Sequence, residues 1–443
     1  IGGFDANGIE LITPRHESSA MHMAAAYARL TGKLGVAIAS NGPGVANVLP
    51  GVAVEEAEGN RVLLITSSRR SGIGYPDRGG TYQYFDQVAV IRPMSKWSAT
   101  APTADRVPEL LRTALRHCWS GRPGVVHLDV PESVMNGKTD EVPVRAPSAY
   151  RRIEPVKANP ADVEAAAAKL AGARLPIIHA GGGVVHARAF DELAAVAEKL
   201  HAPITTSWSG TGSAAHTYPL VWPIAAIEDN DEVRNKADVV LVLGSRLGET
   251  DWWGKAPNWS PNLDVIQVDI DDTHLGLNKP VSLPIVADVK PFLADLAKAL
   301  DAMPEPSANR RTAVAALQES REAAAAKRAD KFLSKSGTPM HPAQVPHIAR
   351  TVFPEDTIHI ADGGNTAVFS AFFWQIQQAG TALGTPHMGH LGAGVGQALG
   401  AAVAHPDRPV CCIIGDGAFG MHPQEIETAV RHGLKVVYLV IAD

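Results

Sequence analysis

Three cysteines in 443 residues, two of them adjacent at Cys411 and Cys412, cannot build a disulfide framework, and their scarcity points to a reducing compartment, the cytoplasm. No apolar run approaches the roughly 20 residues that cross a bilayer, and no charged-then-apolar leader precedes Ile1, so neither a membrane anchor nor a secretion signal is expected. Neither sign of charge dominates. Forty Lys and Arg stand against 46 Asp and Glu, a net charge of −6 with pI near 6.3, which leaves no footprint for nucleic acid or an anionic membrane surface. An internal repeat of the roughly 20–50-residue period of solenoids is also lacking. What is present is a globular composition, 45% apolar and 19% charged, so every part of the chain can bury a core and bulk disorder is excluded. At roughly 150 residues per domain, the length predicts about three domains.

Apolar strand-like runs alternate with helical stretches from end to end, the pattern of α/β layers with mainly parallel sheets flanked by helices. The first block, 1–138, holds a helix near 19–30, strands at 36–40, 62–66 and 125–130, and a helix near 107–118. The proline-bearing stretch 137–159 reads as a linker. The second block, 159–302, starts with a helix at 161–170 and a strand at 177–180, shows strands at 239–243 and 265–268, and closes with a helix at 291–300. A polar, alanine-rich stretch, 303–338, with a charged helix near 312–331, reads as a solvated connector. The third block, 340–443, carries strands at 357–361, 410–414 and 436–441, a glycine-rich helix start near Gly389 and a helix at 424–431. Because the chain opens in a loop-like 1–8 and stops just past the last strand, both terminal blocks read as incomplete.

Gly415-Asp416-Gly417 directly follows the strand 410–414. Ligands of an open parallel sheet sit beyond the carboxyl ends of its strands, and flanking glycines let the backbone turn tightly and approach a phosphate. Asp443 lies about 27 positions further on, again just past a strand. If those strands are neighbours, about 4.8 Å apart, two carboxylates converge on one spot and can hold Mg²⁺ while leaving room for phosphate oxygens. An isolated GDG is also compatible with a turn and a capping Asp.

The segment 415–443 resembles the thiamine diphosphate motif of the acetolactate synthase-like superfamily, GDG followed after about 27 residues by Asn. The resemblance extends over nearly the whole chain and also takes in benzaldehyde lyase, oxalyl-CoA decarboxylase and 2-hydroxyacyl-CoA lyase. It implies a thiamine diphosphate-binding fold in the first and third domains, with Asp416 and Asp443 on a Mg²⁺ ion that clamps the diphosphate, although Ala442-Asp443 stands where Asn-Asn is usual. Arg15-His16-Glu17 is similar to the family's RHE segment, where the glutamate protonates N1′ of the aminopyrimidine so that the ring can deprotonate thiazolium C2. A Glu at a helix start is otherwise an ordinary partner of the helix dipole. Gly42-Pro43-Gly44, with Asn47, resembles the loop beside the pyrimidine ring, and Ala418 completes the GDG turn. Gln83, in 82–87, matches a position that in relatives reaches the partner subunit's active site. Asp362-Gly363-Gly364-Asn365-Thr366 matches a diphosphate-binding loop, and Leu391 in Gly389-His390-Leu391-Gly392 the apolar wedge that bends the cofactor. His387 and His390 are candidate acids or bases beside it.

In the central block, Gly181-Gly182-Gly183 follows a strand as a nucleotide-binding turn does. Some relatives carry FAD or ADP there, which leaves a second nucleotide open. The cluster Trp252, Trp253 and Trp259 suits core packing, and Cys411 and Cys412 read as buried filler. The family likeness implies a homodimer or homotetramer with active sites at the subunit interface. The expected enzyme makes or breaks a carbon–carbon bond next to a carbonyl, as a decarboxylase or carboligase acting on small 2-keto acids. Two alternatives remain: acyl-CoA chemistry of the 2-hydroxyacyl-CoA lyase or oxalyl-CoA decarboxylase kind, with Arg69 and Arg70 as candidate anion binders, and a nucleotide-binding regulatory protein that has lost catalysis. A retained Glu17 speaks against the last.

Overall fold

A computed structural model describes residues 2–74, 76–140 and 142–442. Among them are three sheets in which every strand pair with a resolved register is parallel. The chain clusters into two compact units: 1–152 with 358–364 and 383–443, and 153–357 with 365–382.

In the first unit, strands Gly35–Ala39, Val62–Ser68, Val125–Pro131 and Trp97–Thr100 lie side by side in that order. The two inner strands are the apolar ones, with Leu63, Leu64, Val125, Val126 and Leu128 buried, as a sheet covered on both faces requires. The helix Glu17–Thr31 starts at His16, whose extended backbone and Nδ1, accepting the Ser18 N–H at 3.2 Å, form the N-cap. It stops at Gly32, whose positive φ of 72° lets its N–H return to the Ala28 carbonyl. The same unit holds the strands Ile358–Asp362, Val410–Gly415 and Val437–Ile441, adjacent in that order. Register places Asp362 against Ile414 and Gly415 against Ile441, so these strands finish level with one another. The helix Ala393–Ala404 covers them and packs on Glu17–Thr31. A Cβ on Gly400 would stand 2.3 Å from the Met23 carbonyl oxygen, so only glycine permits that approach.

The second unit is built on six strands in the order Leu283–Val286, Asp264–Asp269, Val239–Leu243, Pro176–Ala180, Ile204–Thr206 and Val221–Trp222. Its core joins Ile177, Leu241, Phe292, Trp222 and Trp259. Trp259 is core, as its sequence suggests, whereas Trp253 is exposed.

Two sequence expectations are corrected. Residues 2–6 form a short helix rather than a loop. The connector is not solvated throughout: helix Ala308–Leu333 buries Val314 and Leu317, and Arg310 donates to the carbonyls of Leu170, Leu200, Ala171 and Ala173, capping helix ends that would otherwise lack partners. No described helix is long and apolar enough to cross a membrane.

Candidate active site

Glu17 opens its helix half-buried, and its Oε2 accepts the Asn47 side-chain amide at 3.1 Å. Asn47 is held in turn by its carbonyl, which accepts the Ser18 hydroxyl at 2.6 Å. Helix Pro43–Glu58 begins over this pair, and a Cβ on Gly44 would lie 3.4 Å from Glu17 Oε1 and 2.6 Å from Ser40 Oγ. Gly42 has φ +62°, and a Cβ there would meet Cβ and the carbonyl of Gln83 at 2.8 Å. Gln83 itself has φ 52°, an unusual conformation for a side-chain-bearing residue, and strain of this kind concentrates at functional sites. The structure therefore gathers Glu17, Gly42, Pro43, Gly44, Asn47 and Gln83 at one end of the first sheet.

The second group forms where the strands ending at Asp362 and Gly415 finish. Gly363, at φ +88°, packs against Gly415 N and Ala418 Cβ, with an added Cβ at 3.2 and 3.3 Å. Beside this contact the backbone is bare: a Cβ on Gly364 or on Gly417 would meet nothing within 4 Å. Asp416 is exposed, and its Oδ1 accepts the Gly417 N–H at 2.7 Å. Asp362 is buried, accepts the Gly394 N–H at 2.7 Å, and is pushed up to about 6 by burial. Gly364, Asn365 and Thr366 are the first residues of helix Gly364–Phe373, not a loop, with Asn365 exposed and Thr366 buried. Asp443 lies outside the described residues.

The wedge segment adjoins this group. A Cβ on Gly392 would be 3.2 Å from the Ala418 carbonyl and 2.8 Å from Met421 Cβ. Leu391 is 38% exposed, which a core leucine would not be. Gly389 has φ +64° with open space around its Cβ position. His390 is half-buried, 5.7 Å from the His22 ring, and its pKa is lowered by burial first and by His22 second. His387 is exposed, and its backbone N–H reaches Glu58.

Several residues at the seam between the two groups were given no site role by their sequence. His422 is buried 4.8 Å from the His16 ring, and burial, then His16, His22 and His390, bring it down to about 4, so it is neutral near neutral pH. Glu425 and Glu58 are buried carboxylates there. An acid in a helix's first turn, such as Glu425, looks like a dipole partner until the fold shows what it touches.

The bare glycine backbones at two adjacent strand ends fit a diphosphate, which needs close approach and N–H donors, and the Glu17 carboxylate fits a ring nitrogen that must be protonated. Family models describing thiamine pyrophosphate enzymes match residues 2–90 (N-terminal TPP-binding domain), 163–296 (central domain) and 362–443 (C-terminal TPP-binding domain). A sulfoacetaldehyde acetyltransferase of Castellaniella defragrans is 30% identical over 99% of the chain and 75% of its own length. The chain belongs to the thiamine pyrophosphate-dependent enzymes. Similar too are a probable acetolactate synthase large subunit of Methanococcus aeolicus, at 29% identity over 98% of the chain and 74% of the relative, and the acetolactate synthase large subunit of Haemophilus influenzae, at 29% over 98% and 75%. It is an enzyme of the acetolactate synthase type that uses thiamine diphosphate, with the cofactor-binding fold in its first and third sheets.

Proposed function

We propose that this enzyme is a Mg²⁺-dependent carboligase or decarboxylase acting on a small 2-keto acid, with domains at 1–138, 159–302 and 340–443 and active sites completed in a homo-oligomer. The observation that carries the cofactor site is the level ending of the strands Ile358–Asp362 and Val410–Gly415, with bare backbone at Gly364 and Gly417. Gly364, Gly415, Gly417 and Ala418 would line the diphosphate, and Asn365 and Thr366 would lend polar groups to it. Asp416 supplies a hard oxygen for Mg²⁺, and the parallel pairing of Gly415 with Ile441 supports Asp443 as its companion.

When bound, thiamine diphosphate supplies a carbon nucleophile and a sink for the electrons released at a carbonyl carbon. The protein's share is placement and proton handling. Glu17, oriented by Asn47, would hold a proton for the aminopyrimidine N1′. Leu391 would present an apolar surface to the cofactor's rings, and Gly389 and His390 would flank it. Gly42, Pro43 and Gly44 bring backbone close beside Glu17, and the strained turn at Gln83 aims that residue toward the same end of the sheet.

The 2-keto acid reading is favoured over acyl-CoA chemistry because the two candidate arginines for a phosphorylated handle already share a carboxylate partner, which leaves less positive charge for a long anionic group. Arg69 pairs with Glu132 at 2.9 Å and Arg70 approaches the same carboxylate at 3.6 Å. In the central domain, the N–H groups of Gly181 and Gly183 are committed to the carbonyls of Leu243 and Gly244, so this reading gives FAD or ADP no part. Turnover assays with pyruvate against oxalyl-CoA test the assignment: product from pyruvate supports it, and product from the CoA ester alone refutes it.

A further inference from the structure

Two buried carboxylates reach across the seam between the first and third sheets of the first unit, in reciprocal fashion. Glu425, at the start of helix Glu425–Arg431, accepts the Arg15 N–H through both oxygens at 3.0 and 3.1 Å and the His16 N–H at 2.9 Å. The Thr428 hydroxyl donates to its Oε2 at 2.8 Å and fixes the carboxylate's orientation. Glu58, the last residue of helix Pro43–Glu58, accepts the N–H groups of His387 at 2.8 Å and Met388 at 3.2 Å. The residue after the first pair of N–H groups is Glu17, and the residues after the second lead into Leu391. Each sheet thus holds, through a carboxylate, the backbone that delivers the other's working side chain.

The Glu425 contact bears more directly on chemistry. Bonds from N–H to a carboxylate are among the stronger ones, and water has little access here, because Glu425 is wholly buried and the His16 and His422 rings, tilted against each other at 4.8 Å, lie beside the same stretch. A carboxylate serving only its own helix would be expected to accept that helix's N–H groups, whereas Glu425 takes two from a segment some 400 residues away. His16 is the N-cap of the helix that Glu17 opens, so the contact sets where that helix begins.

We propose that Glu425 is a positioning residue for proton transfer at Glu17: by clamping the Arg15 and His16 backbone it fixes where the helix begins and so holds the Glu17 carboxylate at its place beside Asn47. This rests on the thiamine diphosphate reading of the site. Proton relays tolerate little displacement, and a misplacement of about 1 Å can lower a rate by about a hundredfold, so loosening the clamp is felt in catalysis before binding.

The test compares wild type with Glu425→Gln, with Thr428→Val as a milder variant that only frees the carboxylate's orientation, and with Glu427→Gln as a control. Glu427 is exposed on the same helix and holds the Arg15 side chain instead. Three readouts are taken: amide exchange of residues 14–18 in the cofactor-free protein, thiamine diphosphate affinity, and hydrogen–deuterium exchange at C2 of the bound cofactor. In Glu425→Gln we expect the Arg15 and His16 amides to exchange faster, C2 exchange to fall by about tenfold or more, and cofactor affinity to stay within about threefold. Thr428→Val should show the same pattern at smaller size, and it decides the matter alone if Glu425→Gln does not fold. The control should match wild type in all three. Loosened amides with C2 exchange at the wild-type rate overturn the positioning role, as does a loss of C2 exchange no larger than a parallel loss of cofactor affinity. Absence of C2 exchange in wild type, with cofactor bound, overturns the site reading itself.

Discussion

Glu17 and Glu58 sit on helices of the same sheet and do opposite things with a proton. Glu17, half-buried and bonded to Asn47, would share one under the proposed function. Glu17→Gln should bind thiamine diphosphate within a few fold of wild type yet lose about a hundredfold in turnover, roughly 2.7 kcal/mol of barrier, because an amide cannot protonate N1′. Steady-state kinetics beside a cofactor titration separate the two effects, and retained turnover contradicts the role. Glu58 instead holds its proton to higher pH: burial raises it from 4.5 to about 7, against the opposing pull of Arg29 and of the His387 and Met388 N–H groups and with a small push from Glu55. Because the unfolded chain releases this proton near 4.5 and the folded chain only near 7, Glu58 lowers stability progressively as pH rises through that window. Urea melts at pH 4.5 and 7.5 should show that Glu58→Gln is relatively more stable than wild type at the higher pH. An equal difference at both pH values contradicts the shift.

At the scale of elements, the close crossing of helices Glu17–Thr31 and Ala393–Ala404 rests on glycines. Gly400→Ala should gain helix propensity yet lose about 1–3 kcal/mol overall, because its methyl meets the Met23 carbonyl at 2.3 Å. Gly172→Ala, where nothing lies within 4 Å, should be neutral or stabilising by up to about 1 kcal/mol. Chemical denaturation of the two variants gives the contrast directly. The central strands were legible in the sequence because two-face burial writes a continuous apolar run: 239–243 is found as expected, and 410–414 gains only Gly415. Helix Pro43–Glu58 was not, since Pro50 and Gly51 stand in its middle and read as a break, while burial of Val45, Val48 and Val52 keeps it whole. The edge strand Trp97–Thr100 is short and only partly buried, so its pattern stays faint. In the site, Asp416 and Glu17 could be picked out because their motifs are local. Glu425 and His422 could not, because their meaning lies in a contact with Arg15 and His16 that spacing along the chain does not encode.

For the whole molecule, the proposed function brings Mg²⁺, cofactor and substrate to one site. If carboxylates bridge through Mg²⁺ to the diphosphate, metal and cofactor binding are reciprocal. Calorimetry should then show thiamine diphosphate binding weakened at least about tenfold by EDTA, and Asp416→Ala should abolish both the affinity and its metal dependence. Equal affinity with and without EDTA contradicts the metal's role. In the proposed function the assembled enzyme opens a carbon–carbon bond beside the carbonyl of a small 2-keto acid. The most direct measurement is acid quench of the enzyme during turnover with pyruvate, benzoylformate, oxalyl-CoA or a 2-hydroxyacyl-CoA, followed by NMR of the released cofactor. Covalent cofactor products from pyruvate, absent in Glu17→Gln, are the result predicted here; products from the CoA esters alone, or from none of the four, would contradict it.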